Sequence, residues 1–132
     1  MSAKNNPDCS VLIADTDIHL RELLSDFLVD QGFAPEFFSD GYTALDHARL
    51  NPPKLIITEI LVPRLDGLAL SRLVKSDPAL KDTKILVLSN LSAEKRARNS
   101  GADAFMKKPI ERKTFAAAVR SLVQPVDAEN PV

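Results

Sequence analysis

The chain has 132 residues, enough for one compact domain with a real core. Its composition, 45% hydrophobic and 27% charged, is ordinary for a soluble globular protein, and no apolar run approaches the roughly 20 residues needed to span a bilayer. The formal charge is −1 and Cys9 is the only cysteine, which excludes an internal disulfide and a cysteine metal cluster.

Residues 1–8 are polar and read as a flexible N-terminus without a signal-peptide core, so a cytoplasmic location is expected. The domain itself is expected over residues 9–123. Ser10 to Ala14 is a short apolar run that suits a buried strand. After the polar cluster Asp15-Thr16-Asp17, the residues Leu20, Leu23, Leu24, Phe27 and Leu28 share one face of a helix. Gly32 stops that helix. Phe33 to Phe38 reads as a second strand, and Pro35 places it at a sheet edge because proline cannot donate to a ladder. Ser39 or Asp40 can cap a second helix, which Asn51-Pro52-Pro53 breaks. Lys54 to Ile60 is a third strand, apolar enough for a central position buried on both faces. Asp66 can cap a third helix with Leu70, Leu73 and Val74 inward, ended by Asp77-Pro78. Lys84 to Leu88 is a fourth strand, Ser92 can cap a fourth helix, and Gly101 closes it. Ala104 to Lys107 is a fifth strand, and a fifth helix starts near Glu111 with Phe115, Val119 and Leu122 inward. Residues 124–132, with two prolines and two acids, read as a disordered tail or a linker.

Strands alternating with helices give an α/β fold: a doubly wound parallel sheet between two helix layers, with right-handed crossovers. Ligands of such open sheets bind beyond the carboxyl ends of the strands. Polar residues stand at those ends here: Asp15 and Thr16, Glu59, Ser89 and Lys108. Gly-rich phosphate loops are absent, which argues against a nucleotide site.

The segment from Ser10 to Val123 resembles a receiver domain of two-component response regulators, the chemotaxis receiver being the simplest relative. The resemblance is carried by Asp15, Ile56 to Glu59, Asp66-Gly67, Ser89, Gly101-Ala102-Asp103, Phe105 and Lys108-Pro109, in chain order and each at the expected place. It implies a three-layer (βα)5 fold with the flavodoxin-like strand order 2-1-3-4-5, and a signalling module rather than an enzyme. It implies that Asp15 is one of two acidic cleft residues and that Lys108 contacts a phosphoryl group. Ser89 would hydrogen-bond that group, and Phe105 would be the aromatic switch residue on strand five. A cis peptide before Pro109 is also implied.

Two positions depart from the family pattern. Thr16 stands where a second Mg²⁺-binding acid is expected, and Glu59 stands where the phosphorylated Asp is expected. Thr16 offers a neutral oxygen, so the metal site loses a full charge. Glu59 is one methylene longer than Asp, which moves its carboxylate by about 1 Å, and a displacement of that size can cost ~100-fold in rate. Little or no phosphotransfer is expected, and Mg²⁺ is expected to bind weakly or not at all, with Asp15 and Glu59 as its only strong ligands; the cleft is expected to hold Asp15, Thr16, Asp17, Ser89 and Lys108, with Asp17 at its far side round the helix start. Two roles are open to Glu59: a partial imitation of the phosphorylated state, or an ion pair with Lys108 that holds the cleft closed. Phe105 lacks a hydroxyl, so it can be buried with no polar group unpaired, which favours an inward position if there is room.

Charge is unevenly spread. Residues 1–66 carry 5 Lys/Arg against 11 Asp/Glu, net −6, and residues 89–123 carry 8 against 3, net +5. In receivers the fourth helix, fifth strand and fifth helix commonly form the output surface. Here that surface would carry Lys95, Arg96, Arg98, Lys107, Arg112, Lys113 and Arg120. The expected partner is a protein, with an acidic surface as the natural complement; a homodimer is a second arrangement. Direct nucleic-acid binding is disfavoured because no aromatic stacking set accompanies the charges, and no membrane contact is expected. The alternatives are a conventional Mg²⁺-dependent phosphoacceptor with a degenerate site, and a small-ligand binder using the same cleft.

Overall fold

A computed structural model describes residues 10–123 of the protein; the expected flexible N-terminus, Cys9 and the expected tail at 124–132 lie outside the described residues. Strands and helices alternate along the chain: β1 (Ser10–Ala14), α1 (Ile18–Asp30), β2 (Ala34–Phe38), α2 (Gly41–Leu50), β3 (Leu55–Glu59), α3 (Gly67–Lys75), β4 (Lys84–Ser89), α4 (Glu94–Asn99), β5 (Ala104–Lys107) and α5 (Arg112–Leu122). All strand pairs are parallel and the order is β2-β1-β3-β4-β5, as the resemblance implied.

The apolar pattern explains this arrangement. Every residue of β3 is buried, and only the first residue of β4 is exposed, so both strands are covered on both faces. β2 is half-buried and lies at the edge, where Pro35 withholds no bond that a central strand would need. Alternate residues feed two core layers. Leu12, Ile56, Ile85 and Val87 meet α2, α3 and α4 through Leu45, Leu70, Val74 and Ala97. Val11, Ile13, Ile57 and Leu86 meet α1 and α5 through Leu24, Phe27, Leu28 and Phe115.

Helix starts are fixed by carboxylates. Asp17, Asp40 and Asp66 each accept the backbone N–H of the third residue onward, from Leu20, Thr43 and Ala69. Of the two candidates for α2, Asp40 is therefore the cap. Several expectations need correction. Ser92 does not cap α4: Ala93 holds the cap position without a side-chain bond, and the Ser92 hydroxyl instead accepts from Lys107 Nζ at 2.7 Å. Leu23 is 39% exposed, because α1 meets the sheet through the narrower row Leu20, Leu24, Phe27 and Leu28. The third strand is one residue shorter at each end, Ile60 being buried in the following loop.

The loop after β3 leaves no room above the backbone. A Cβ on Gly67 would lie 2.3 Å from the Glu59 carbonyl oxygen, and the Gly67 N–H donates to the Ile60 carbonyl at 2.9 Å. This contact sets α3 hard against the strand end that carries Glu59. Gly67→Ala is expected to lower stability by about 1–3 kcal/mol through forced backbone displacement. A urea unfolding midpoint unchanged from the parent protein would contradict it.

Candidate functional site

The parallel register brings four strand ends level. Ala14 pairs with Thr58, Glu59 with Leu88, and Ser89 with Lys107. The next residue after β1 is Asp15 and the next after β5 is Lys108, so Asp15, Glu59, Ser89 and Lys108 converge at one end of the sheet. All three of Asp15, Glu59 and Ser89 are buried, at 3%, 8% and 0% exposure.

Lys108 is the hub of this cluster. Its Nζ lies 2.8 Å from Glu59 Oε1 and 3.1 Å from Asp15 Oδ2. Its backbone N–H donates to the Ser89 carbonyl at 2.9 Å, and the Lys108–Pro109 peptide is cis. Glu59 is satisfied on both oxygens: Oε2 accepts the N–H groups of Ile60 at 2.6 Å and Leu61 at 3.2 Å. The Ser89 hydroxyl accepts the Leu91 N–H at 3.2 Å. Asp15 Oδ1 accepts the Asp17 N–H at 2.9 Å.

Burial pushes the Glu59 carboxyl up, but the bonds from Lys108, Ser89 and the Leu61 amide outweigh it and leave the group below the ordinary 4.5 of a glutamate. Burial likewise pushes Lys108 down, and its bonds to Glu59 and Asp15 outweigh that and leave it above 10.5. Both groups are therefore held in their charged forms across the neutral range. The arrangement is two carboxylates closed around one ammonium.

The structure separates the other expected site residues from this cluster. Thr16 is exposed. Asp17 is exposed too, and its carboxylate is engaged by the Leu20 N–H at the start of α1, so it does not enter the cleft. Phe105 is half-buried, with one side against Val87 and its neighbours in the core and the other lining a surface hollow of about 460 Å³ with Ser92, Glu94, Lys95 and Lys107. The fully inward position is thus not reached. Lys95, Arg96 and Arg98 on α4, Lys107 on β5, and Lys113 and Arg120 on α5 are exposed. Arg98 pairs with Glu94 within its own helix at 3.0 Å. Arg112 is exposed as well but turns toward α1, pairing with Asp30 and lying 4.9 Å from the Phe27 ring centroid, so it does not add to the basic row.

One residue of the site was not legible in the sequence. Arg21, a turn into α1, donates from Nε to the Asp15 backbone carbonyl at 2.9 Å. Its position six residues past Asp15 gave no signal, because an arginine on an amphipathic helix is ordinarily a solvent-facing residue.

The depressed carboxyl of Glu59 has a pH consequence. A group whose folded value lies below its unfolded value contributes stability that is present above the unfolded value and fades as pH falls through the folded one. Lys108→Met leaves two buried carboxylates facing each other with no cation, which is expected to cost about 3–5 kcal/mol at neutral pH. The cost should shrink as pH falls: the variant's facing carboxylates have a raised proton affinity and take up a proton first, and below 4.5 the parent protein loses the Glu59 contribution. Urea midpoints of the two proteins against pH check this; a cost that stays constant into acid would contradict it.

Comparison with known proteins agrees with this geometry. The family described as the response regulator receiver domain matches residues 11–120. A response regulator MprA from Mycobacterium sp. (strain KMS) is 32% identical over 117 residues, which is 86% of this chain and 50% of the relative. The chain thus spans about half the length of the curated relatives it matches. Among solved structures, the signal receiver domain of a signal transduction histidine kinase from Syntrophus aciditrophicus is 30% identical, with a TM-score of 0.80 over 93% of this chain and 96% of that one. The chemotaxis response regulator CheY4 of Vibrio cholerae is 25% identical, with a TM-score of 0.81 over 87% and 98%. With an alternating strand–helix chain, the order β2-β1-β3-β4-β5 and a Lys–carboxylate cluster at the strand ends, the chain belongs to the receiver domain family of response regulators.

Proposed function

We propose that this receiver signals without being phosphorylated, and that it acts by protein–protein contact through the face formed by α4, β5 and α5. The observation that carries the reading is the 2.8 Å ion pair between Lys108 and Glu59. In this reading Glu59 stands at the family's phosphoacceptor position, and its longer arm places a permanent negative charge against the lysine that would otherwise meet a phosphoryl oxygen. The chain is then a pseudo-receiver of a two-component pathway, with a cytoplasmic location.

The cleft does not fit Mg²⁺. That ion requires near-octahedral oxygen ligands at about 2.0–2.1 Å and one or two carboxylates free to supply them. Here both carboxylates that face the cleft already share the Lys108 ammonium, and Glu59 Oε2 is turned to two backbone amides. The neighbouring Asp17 is bound to a helix start and Thr16 is neutral. No phosphotransfer step is assigned to this site. Glu59 carries one charge and two oxygens against the three oxygens and higher charge of a phosphoryl group, so the imitation is partial. The half-buried Phe105 is consistent with a switch residue held between its two positions.

Incubation with a small-molecule phosphodonor and Mg²⁺, read by intact mass, is expected to give no phosphate adduct. A Mg²⁺-dependent gain of one phosphate that is lost in Glu59→Gln would overturn the reading. The double substitution Thr16→Asp with Glu59→Asp is expected to restore Mg²⁺ binding, seen as a saturable titration.

The contact face follows from charge. Of the exposed cations of α4, β5 and α5, Lys95 and Lys107 border the hollow beside Phe105, and clustered like charge attracts an oppositely charged surface and makes its on-rate sensitive to salt. The partner is therefore a protein with an acidic surface. Reversal of Lys95, Arg98 and Lys113 to Glu is expected to slow partner association by roughly tenfold or more. It should change stability by less than ~0.5 kcal/mol per site, because all three side chains are exposed. Unchanged association kinetics in a variant with parental circular dichroism would contradict this.

A further inference from the structure

We propose that Arg21 is a positioning residue that couples the outer face of α1 and β2 to the lysine–carboxylate cluster. Its guanidinium makes three contacts that belong to different elements. Nε donates to the Asp15 carbonyl at 2.9 Å, Nη2 donates to Ser39 Oγ at 2.9 Å, and the group lies 5.8 Å from the Phe37 ring centroid. One planar cation thus joins the end of β1, the connection after β2 and the edge strand itself.

Asp15 is clamped at both ends of its backbone as a result. Its N–H donates to the Phe38 carbonyl at 3.2 Å and its carbonyl accepts from Arg21. With the backbone fixed, Oδ1 is taken by the Asp17 N–H and Oδ2 is aimed at Lys108. Lys108 then spans to Glu59. The relay runs Phe37 and Ser39, Arg21, Asp15, Lys108, Glu59, and each link is a direct contact in the structure.

The outer end of the relay is accessible. Arg21 and Phe37 line a groove of about 440 Å³ with Ile18, Glu22, Ser25 and Asp26, and Ser39 is exposed. A contact that draws the guanidinium away from Asp15 leaves the Asp15 carbonyl without that donor and releases the loop that aims its carboxylate. Lysine cannot reproduce the arrangement, because its single ammonium lacks the planar fork that serves two acceptors while lying against a ring. Arg21 reaches the cluster at the Asp15 carbonyl, so its influence on Lys108 and Glu59 is exerted through Asp15.

This inference rests on the same cleft as the proposed function and concerns its regulation. The two fail separately. A phosphorylated Glu59 overturns the proposed function and leaves the relay intact, whereas the experiment below addresses only the relay.

The test is the reactivity of Lys108 toward an amine-acylating reagent at fixed pH, read residue by residue by mass spectrometry, with exposed Lys81 as the internal reference. In the parent protein Lys108 is expected to react far more slowly than Lys81. Arg21→Met, which keeps the apolar stem, should raise Lys108 labelling severalfold and leave Lys81 unchanged. Arg21→Lys should recover only a small part of the protection, which separates positioning from the mere presence of a positive charge. Ser39→Ala should move the rate in the same direction by less. Unchanged Lys108 labelling in folded Arg21→Met overturns the proposal, as does full recovery by Arg21→Lys. If Arg21→Met does not fold, the double variant Phe37→Leu with Ser39→Ala removes the ring and the hydroxyl instead, and an unchanged Lys108 rate there overturns it equally.

Discussion

The ammonium of Lys108 holds the functional end of this domain together. It lies 2.8 Å from Glu59 and 3.1 Å from Asp15, which is 93 positions away in the chain. Two carboxylates as buried as these repel each other and would raise one another's proton affinity if they stood alone. A single fixed cation between them removes that conflict. The first strand, the third strand and the loop after the fifth are thereby joined at one point.

The sheet exists in the form needed to bring these groups together. Parallel register places the carboxyl ends of β1, β3 and β4 side by side, and the Lys108 N–H continues the ladder from β5 to the Ser89 carbonyl. The loop between β3 and α3 then has to turn sharply. It does so with Arg64 in the left-handed region, at φ 71°, a conformation that costs a non-glycine residue about 1–2 kcal/mol. Arg64 also reaches Asp40 at 3.4 Å and lies 5.6 Å from the Tyr42 ring centroid, so the turn is tied to the start of α2. The close approach of Gly67 to the Glu59 carbonyl completes the wall. The cleft is thus bounded on one side by backbone that cannot move without disturbing two helices.

Much of this was legible in the residues, for identifiable reasons. Buried strands carry long apolar runs, and carboxylates cap helices, so the alternation, the strand ends and the Asp66 cap could be read directly, with Asp40 as one of two candidates for α2. The edge position of β2 followed from Pro35. The misread cap of α4 shows the limit of such reading. Ser92 has the right side chain in the right neighbourhood, but a tertiary contact with Lys107 takes its hydroxyl. The same limit applies to Arg21 and Arg112. Both look like solvent-facing helix residues in one dimension, and both are committed to long-range contacts that no local pattern encodes. Asp17, expected among the cleft residues, is instead engaged by the helix start, a local capping bond that competes with the cleft for its carboxylate.

The account predicts that the Lys108 ammonium is a permanent occupant of the cleft rather than one that yields to a metal ion. The most direct measurement is the NMR signal of the Lys108 side-chain nitrogen, in protein with labelled lysine, followed through a Mg²⁺ titration. The expected result is a signal that does not shift at millimolar Mg²⁺, with the Glu59 carboxyl resonance equally unmoved. A saturable shift of both signals at submillimolar Mg²⁺ would show that the ion displaces the lysine, and would contradict the account.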